Sequence, residues 1–370
     1  MRACAPARQC SYFLGYACLS RIFGLLLTRA LLPRRYDTID AALQTARLRP
    51  RALLDAFNIE VLATTNAATD DLAAHAALAA APGMRGRVVP TFRPDDVSDV
   101  ARVGWSDAIA KLSQLTGEKC DTFASFLAAL RLRRAAFAAL GATASDHGAE
   151  LPVAAPLPAG EAEAIYRAAL RNAASVSAAN AAAFRAHMLV EHARMSAADG
   201  LVMQLHAGVS RNHDTFIASR FGPDRGGDIP LAADWTHGLA PLLSELGHAP
   251  NLTLVLFTLD EATYARELAP LAGVYPALRL GPPWWFHDSL NGMRRYLESV
   301  VETAGVANLA GFNDDTRAVL SIPARHALWR RAVADWAAEQ NARGIMDWDD
   351  ARAAAADLAY HNAKRTYKLK

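Results

Sequence analysis

The sequence predicts an α/β fold on a parallel sheet, close to a (β/α)8-type TIM barrel with helical insertions but one strand short. Three observations predict it. Seven short apolar runs alternate with helical stretches, as strands do when joined by helical crossovers. Polar residues cluster where the runs end, the place where a parallel barrel gathers its chemistry. The chain has 370 residues, 52% of them hydrophobic, which is long enough for a barrel of roughly 250 residues plus insertions.

The first 35 residues are set apart as a divergent stretch, and residues 36–370 form the barrel unit. Residues 1–8 are basic and 10–28 largely apolar, so a signal or anchor is weighed there. Arg21 interrupts the apolar stretch and Ser11, Gly15 and Ser20 dilute it, whereas a spanning helix wants about 20 mainly apolar residues. No membrane segment is expected there or later. A helical stretch over 36–57 leads into the first run, 59–65, which is β-branched and exits through Thr64-Thr65-Asn66. The alanine-rich 70–81 reads as helix, closed by Pro82-Gly83, and 87–91 as the second strand. Helices are expected between 97 and 139, with caps from Cys120-Asp121-Thr122 and Gly141 just past the end. Residues 141–144 form a third short strand opening on Ser145-Asp146-His147-Gly148. A proline-rich loop, 151–160, precedes two helices over 161–199. The strand 201–206 ends at His206, followed by a polar loop, 210–228, and a helix, 234–246. Strands at 252–257 and 277–280 follow, the latter running into Gly281-Pro282-Pro283-Trp284-Trp285. A helix from 289 to about 304 comes before the last strand, 309–313. That strand stops at two carboxylates, Asp314 and Asp315, with Arg317 close behind. A helix over 325–343, with Pro323 in its first turn and Gly344 after it, and a closing helix over 351–360 complete the chain.

The formal net charge is +2, from 39 basic and 37 acidic residues, so nothing points to nucleic acid. The four cysteines form no CxxC pair, and three fall within the first 18 residues. Reduced thiols and a cytoplasmic location are the expectation.

Arg93, Asp146, His147, His206, Trp284, Trp285, Asp315 and Arg317 stand at the run ends. Each has a bland explanation. Arg93 before Pro94 suits a surface loop, Asp146 and His147 suit helix caps, and His206 suits a satisfied core histidine. Adjacent tryptophans usually pack, and the acids at 314 and 315 can cap the next helix. Polar ends on five of seven runs are harder to set aside, because in a barrel those ends meet in one bowl. Standard motifs are missing. None of the eleven histidines forms HxH or HExxH, and there is no Walker loop, no GxGxxG after a strand and no GxSxG elbow.

Assembled in order, these residues resemble the uronate isomerases, the glucuronate/galacturonate isomerases of the amidohydrolase superfamily, from about residue 36 to 367. The resemblance is carried by Val89-Pro90-Thr91-Phe92-Arg93-Pro94-Asp95, Ser145-Asp146-His147 and Gln204-Leu205-His206-Ala207-Gly208 with Arg211-Asn212. It continues through Gly281 with Trp284-Trp285-Phe286, Asp315-Thr316-Arg317, Arg325-His326 and His361-Asn362-Ala363. It implies a (β/α)8 barrel that interconverts an aldose uronate with its ketose: glucuronate with fructuronate, galacturonate with tagaturonate. It also implies a divalent metal, zinc in the usual description, held by an HxH pair after strand one and by an aspartate after strand eight. Asp315 matches that aspartate. Asp315, Arg317 and His206 are the catalytic residues implied; Arg93, Asp146, Trp284, Trp285 and Arg317 are those implied to bind substrate.

The chain departs from the family pattern in lacking the HxH pair and the segment that should carry it. Residues 1–33 then read as a non-homologous start, a late start codon or a damaged gene. Catalytic zinc uses three protein ligands, so weak or absent metal binding and little isomerase activity are expected. Two other readings stay open: a non-catalytic remnant that binds a partner or sugar acid, and a metal-dependent hydrolase of the same superfamily. A barrel one strand short also leaves 59–65 and 309–313 with open edges, an aggregation hazard unless residues 1–33 or a partner chain, as in a homo-oligomer, covers them.

Overall fold

The computed structural model describes residues 32–370 apart from 224, 226, 284–286 and 317. The strands, in chain order, are β1 (Val61–Ala67), β2 (Arg87–Arg93), β3 (Ala144–Gly148), β4 (Val202–His206), β5 (Val209–Ser210), β6 (Ile229–Pro230), β7 (Leu254–Phe257) and β8 (Leu278–Leu280). Six of them form one parallel sheet in the order β1-β2-β3-β4-β7-β8. β5 and β6 form a separate antiparallel pair. β7 reads Leu-Val-Leu-Phe and is buried throughout, as expected of a strand covered on both faces.

Two expected strands need correction. The third is displaced: β3 starts at Ala144, because residues 140–142 are spent ending the preceding helix, with Gly141 at φ 89° and the Ala142 N–H donating to Phe137 O. Asp146 and His147 therefore lie inside a strand and cap nothing. The seventh run, 309–313, shrinks to a single bridge between Leu309 and Leu280. Gly311 breaks the extended run: its φ is 80°, and a Cβ there would come within 2.8 Å of the Ala363 nitrogen. Among the described residues β1 pairs only with β2, so the sheet keeps the open edge that the sequence predicts. The expected polar loop after β4 also holds structure. Asp214 caps the helix Thr215–Phe221 by accepting from the Ile217 N–H.

Helices wrap the sheet in two groups. Thr122 and Ser125 form a capping box that opens the helix Phe123–Ala139. With Ala159–Asn172 and Ala178–Asp199 it builds an insertion packed around Trp105, Phe126, Tyr166 and Phe184. A second apolar layer, around Trp235, Tyr264, Tyr296, Trp329 and Trp336, covers the outside of β4, β7 and β8.

The alternation of side chains along each strand decides what faces the barrel interior. Met203, Leu205, Leu254 and Leu256 join the outer layer, while Ala144, Val202, Val255 and Phe257 form an inner cluster with Ala310 and Tyr367. The C-terminal segment closes the floor beneath the N-terminal strand ends. The Tyr360 hydroxyl donates to Glu60, just before β1, Asn362 donates to Val306 O, and Lys368 donates to Gly200 O, just before β4. From this floor Tyr367 rises into the barrel. Its hydroxyl donates to Gln204 Oε1 and accepts from Asn313 Nδ2, both at 2.8 Å.

Candidate active site

The inner faces of β3 and β4 point Asp146, Gln204 and His206 the same way, because Asp146 pairs in register with Gln204 and residues two apart share a face. Arg93 ends β2, next to β3. These positions bring three expected site residues together. Arg93 Nη1 donates to Asp146 Oδ2 at 3.1 Å, and His206 Nδ1 lies 2.7 Å from Asp146 Oδ1. Phe257, at the end of β7, lies flat against the His206 ring at a centroid distance of 4.4 Å and fixes its plane. Arg93 Nε also donates to Asp95 Oδ2, and that carboxylate accepts the Gly148 N–H, tying the loop after β2 to the end of β3.

Burial alone would push the Asp146 carboxyl up, but the charge and hydrogen bond of His206, together with Arg93, outweigh it and hold it well below the usual carboxylate range. Asp146 is thus an ionised acceptor, and the proton it shares with His206 belongs on Nδ1. Nε2 is the ring nitrogen that Asp146 does not hold. Asp95 behaves oppositely: burial, reinforced by the neighbouring Asp146, raises its carboxyl despite Arg93.

His147 points away from this group. It lies against His192, ring centroids 4.7 Å apart, and its Nε2 is 3.0 Å from Ser145 Oγ. Its place is in the layer between sheet and helices, outside the bowl.

A second polar group stands past β8 and the Leu309 bridge. Arg325, in the first turns of the helix Ile322–Ala342, lies 2.7 Å from Asp288 Oδ2 and 2.7 Å from Asp314 Oδ1. Burial, with Asp288 and Asp315 close by, lifts Asp314 to about 7 against the pull of Arg325. Asp315 itself is exposed, with a left-handed backbone at φ 45°. The Asn313–Tyr367–Gln204 bonds connect this group to β4. Trp284, Trp285 and Arg317, expected from the sequence to line the site, lie outside the described residues. Sequence reasoning missed Tyr367, Phe257 and the Asp288–Arg325–Asp314 group. Arg325 belongs to the Arg325-His326 pair that carries the family resemblance, but nothing in the sequence pairs it with Asp288.

A family model for glucuronate isomerase matches residues 17–367. The chain belongs to the glucuronate isomerase family. Within that family it is 50% identical to the uronate isomerase of Phenylobacterium zucineum over 334 residues, which is 90% of this chain and 69% of that protein. The uronate isomerase of Nostoc punctiforme is 47% identical over 353 residues, covering 95% of this chain and 74% of its own length. The crystal structure of glucuronate isomerase from Caulobacter crescentus superposes with a TM-score of 0.93 at 45% identity, over 98% of this chain and 75% of that one. Uronate isomerase from Thermotoga maritima gives a TM-score of 0.90 at 26% identity, over 97% and 79%. The family's barrel, not closed among the described residues, is therefore the fold.

The crystal structure of a candidate metal-dependent hydrolase from Lactobacillus casei shares the fold, with a TM-score of 0.55 at 17% identity; a divalent metal is what the sequence resemblance implies. The described residues do not supply a ligand set for one. No three His, Cys, Asp or Glu side chains among them converge as metal ligands would, Asp315 is exposed, and His206 Nδ1 is taken by Asp146.

Proposed function

We propose that the chain is an aldose–ketose isomerase that interconverts glucuronate with fructuronate, and galacturonate with tagaturonate, through an enediol. The observation that carries this reading is the Arg93–Asp146–His206 group at the C-terminal ends of β2, β3 and β4 in a glucuronate isomerase family barrel.

The reaction moves a proton from C2 to C1 of the open-chain uronate while the carbonyl moves from C1 to C2. It needs a group that can accept and return a proton, and His206 has the chemistry: Asp146 holds Nδ1–H and leaves Nε2 for the transfer. It also needs a partner for the substrate's own carboxylate. Arg93 offers a planar, permanently charged guanidinium, one-third exposed at the bowl and held in place by Asp95 and Asp146. Asp315 and Arg317 are assigned to the reacting end, and Trp284 and Trp285, with Asp146 and Arg317, to the substrate's surroundings. A bound divalent metal would polarise the substrate oxygens, with Asp315 among its ligands. The described residues give no complete set, so no step here is routed through it. Among the described residues no helix is long and apolar enough to cross a membrane, and buried, free Cys120 suits the cytoplasmic location we assign.

The test is incubation of the purified chain with glucuronate in D2O, with and without added Zn2+, followed by NMR. With the HxH pair absent turnover is expected to be weak, and the fructuronate formed should carry deuterium at C1. Ketose without solvent deuterium would mean that the hydrogen is carried across without exchange, by a hydride shift or by direct return from His206, and no ketose under either condition would defeat the isomerase reading.

A further inference from the structure

Arg325 is largely buried, its side chain 12% exposed, and it bridges carboxylates on two separate strand-end loops. Asp288 closes the segment after β8, two residues past Phe286. Asp314 immediately precedes Asp315. The three charges do not form an ordinary surface pair. Asp288 and Arg325 are both nearly buried, and the 2.7 Å contact to Asp314 lacks the geometry of a hydrogen bond, so Arg325 Nε and both Asp314 oxygens have no hydrogen-bond partner among the described residues. Take the guanidinium away and the buried Asp288 and the largely buried Asp314 are left without a cation between them, a costly arrangement. Lysine could not replace it fully, because a single ammonium lacks the planar fork that reaches two carboxylates from one stem.

We propose that Arg325 is a positioning residue: it clamps the loop after β8, at Asp288, to the loop after the Leu309 bridge, at Asp314, and so sets where Asp315 stands relative to the end of β8 without touching the uronate. The effect on substrate rests on the isomerase reading above; the clamp itself does not. The surroundings support it. His326, next in sequence, has Nε2 3.7 Å from Asp314 Oδ2, and its ring meets Phe312 edge-on at 5.0 Å. Phe312 in turn stacks on buried Trp329, so the helix start is locked to the Asp314 loop by packing as well as by charge.

The test uses the full chain with Arg325→Lys, Arg325→Gln and Asp288→Asn, read by amide hydrogen exchange and by calorimetric titration with glucuronate. Arg325→Gln is expected to speed exchange in peptides covering 281–289 and 312–321 together, to leave β2, β3 and β4 peptides unchanged, and to weaken glucuronate binding by about tenfold or more. Arg325→Lys should give a smaller version of both effects at an almost unchanged melting temperature, and it decides the matter should the glutamine variant fail to fold. Asp288→Asn should release chiefly 281–289. Faster exchange spread over the whole barrel, or confined to the helix 322–342, would overturn the clamp. Released loops with unchanged glucuronate affinity would overturn the positioning role. A wild-type chain that binds no glucuronate would sink the uronate reading, while the exchange data would still decide the clamp.

Discussion

His206 Nδ1 and Asp146 Oδ1 stand 2.7 Å apart across two adjacent parallel strands, so the orientation and tautomer of the histidine are set by a carboxylate that neighbouring charges keep ionised. Asp146→Asn keeps the shape and removes the charge. The carboxamide can present either an acceptor or a donor to Nδ1, so the ring is no longer confined to one tautomer. We expect kcat/KM for glucuronate to fall by about 10^2-fold or more, with KM changed far less than kcat. Steady-state kinetics on the variant check this; an unchanged kcat would remove His206 from the proton-transfer step.

Gly148 offers a separate test of Arg93. A Cβ at position 148 would lie 2.8 Å from Arg93 Nη2 and 2.9 Å from Asp95 Oδ2. The contacts fall on side-chain ends, so in Gly148→Ala the guanidinium can swing aside and the barrel need not deform. Glucuronate affinity should drop about tenfold with under ~1 kcal/mol of stability lost, small against the usual cost of overpacking a rigid core. Calorimetric titration and thermal melts measure the two. A fully retained affinity would show that the position of Arg93 does not govern carboxylate binding.

Much of this group was legible in the sequence, and the reasons differ between residues. His206 and Arg93 end strands whose apolar runs are plain, so their place at the rim followed from strand direction alone. Asp146 was found, but placed just past its strand instead of inside it, because the helix-ending residues 140–142 resemble a strand start in composition. Tyr367 was invisible for a different reason. Its partners Gln204 and Asn313 lie 163 and 54 residues away, and no periodicity encodes a tail that turns back into a barrel. The strand at 309–313 failed at Gly311, whose left-handed backbone and contact with Ala363 are tertiary facts.

Tyr367 carries a stability prediction. In Tyr367→Phe the ring still fills the inner cluster, but Gln204 Oε1 and Asn313 Nδ2 lose their shared hydroxyl inside the barrel. Leaving buried polar groups unpaired costs about 1–3 kcal/mol. The urea midpoint should fall accordingly with an unchanged slope. A neutral result would mean that water takes over the bridge.

The buried histidine pair behind β3 predicts an acid limb to stability. Burial, then the positive charge of Arg134, pushes His147 down to about 3. Burial, with His147 and Arg134, holds His192 well below its ordinary value, although its Nε2 lies 2.9 Å from Ser98 Oγ. Asp146 is the one nearby charge that favours protonation of His147, and Arg93 and His206 act against it. In the unfolded chain both rings titrate near 6.5. Below about pH 6.5, and for His147 down to about 3, the unfolded state therefore binds protons that the folded state refuses. The stability owed to each neutral ring is fully present above 6.5 and is lost as pH falls through that window, at up to ~1.4 kcal/mol per pH unit per histidine. Asp314, raised to about 7, works in the opposite sense, so the comparison must be between variants and not against pH alone. His192→Gln, a neutral side chain at the same site, should flatten the dependence of unfolding free energy on pH between pH 4 and 6. Urea titrations of wild type and variant across that range decide it: parallel curves would mean that His192 takes up a proton inside the fold.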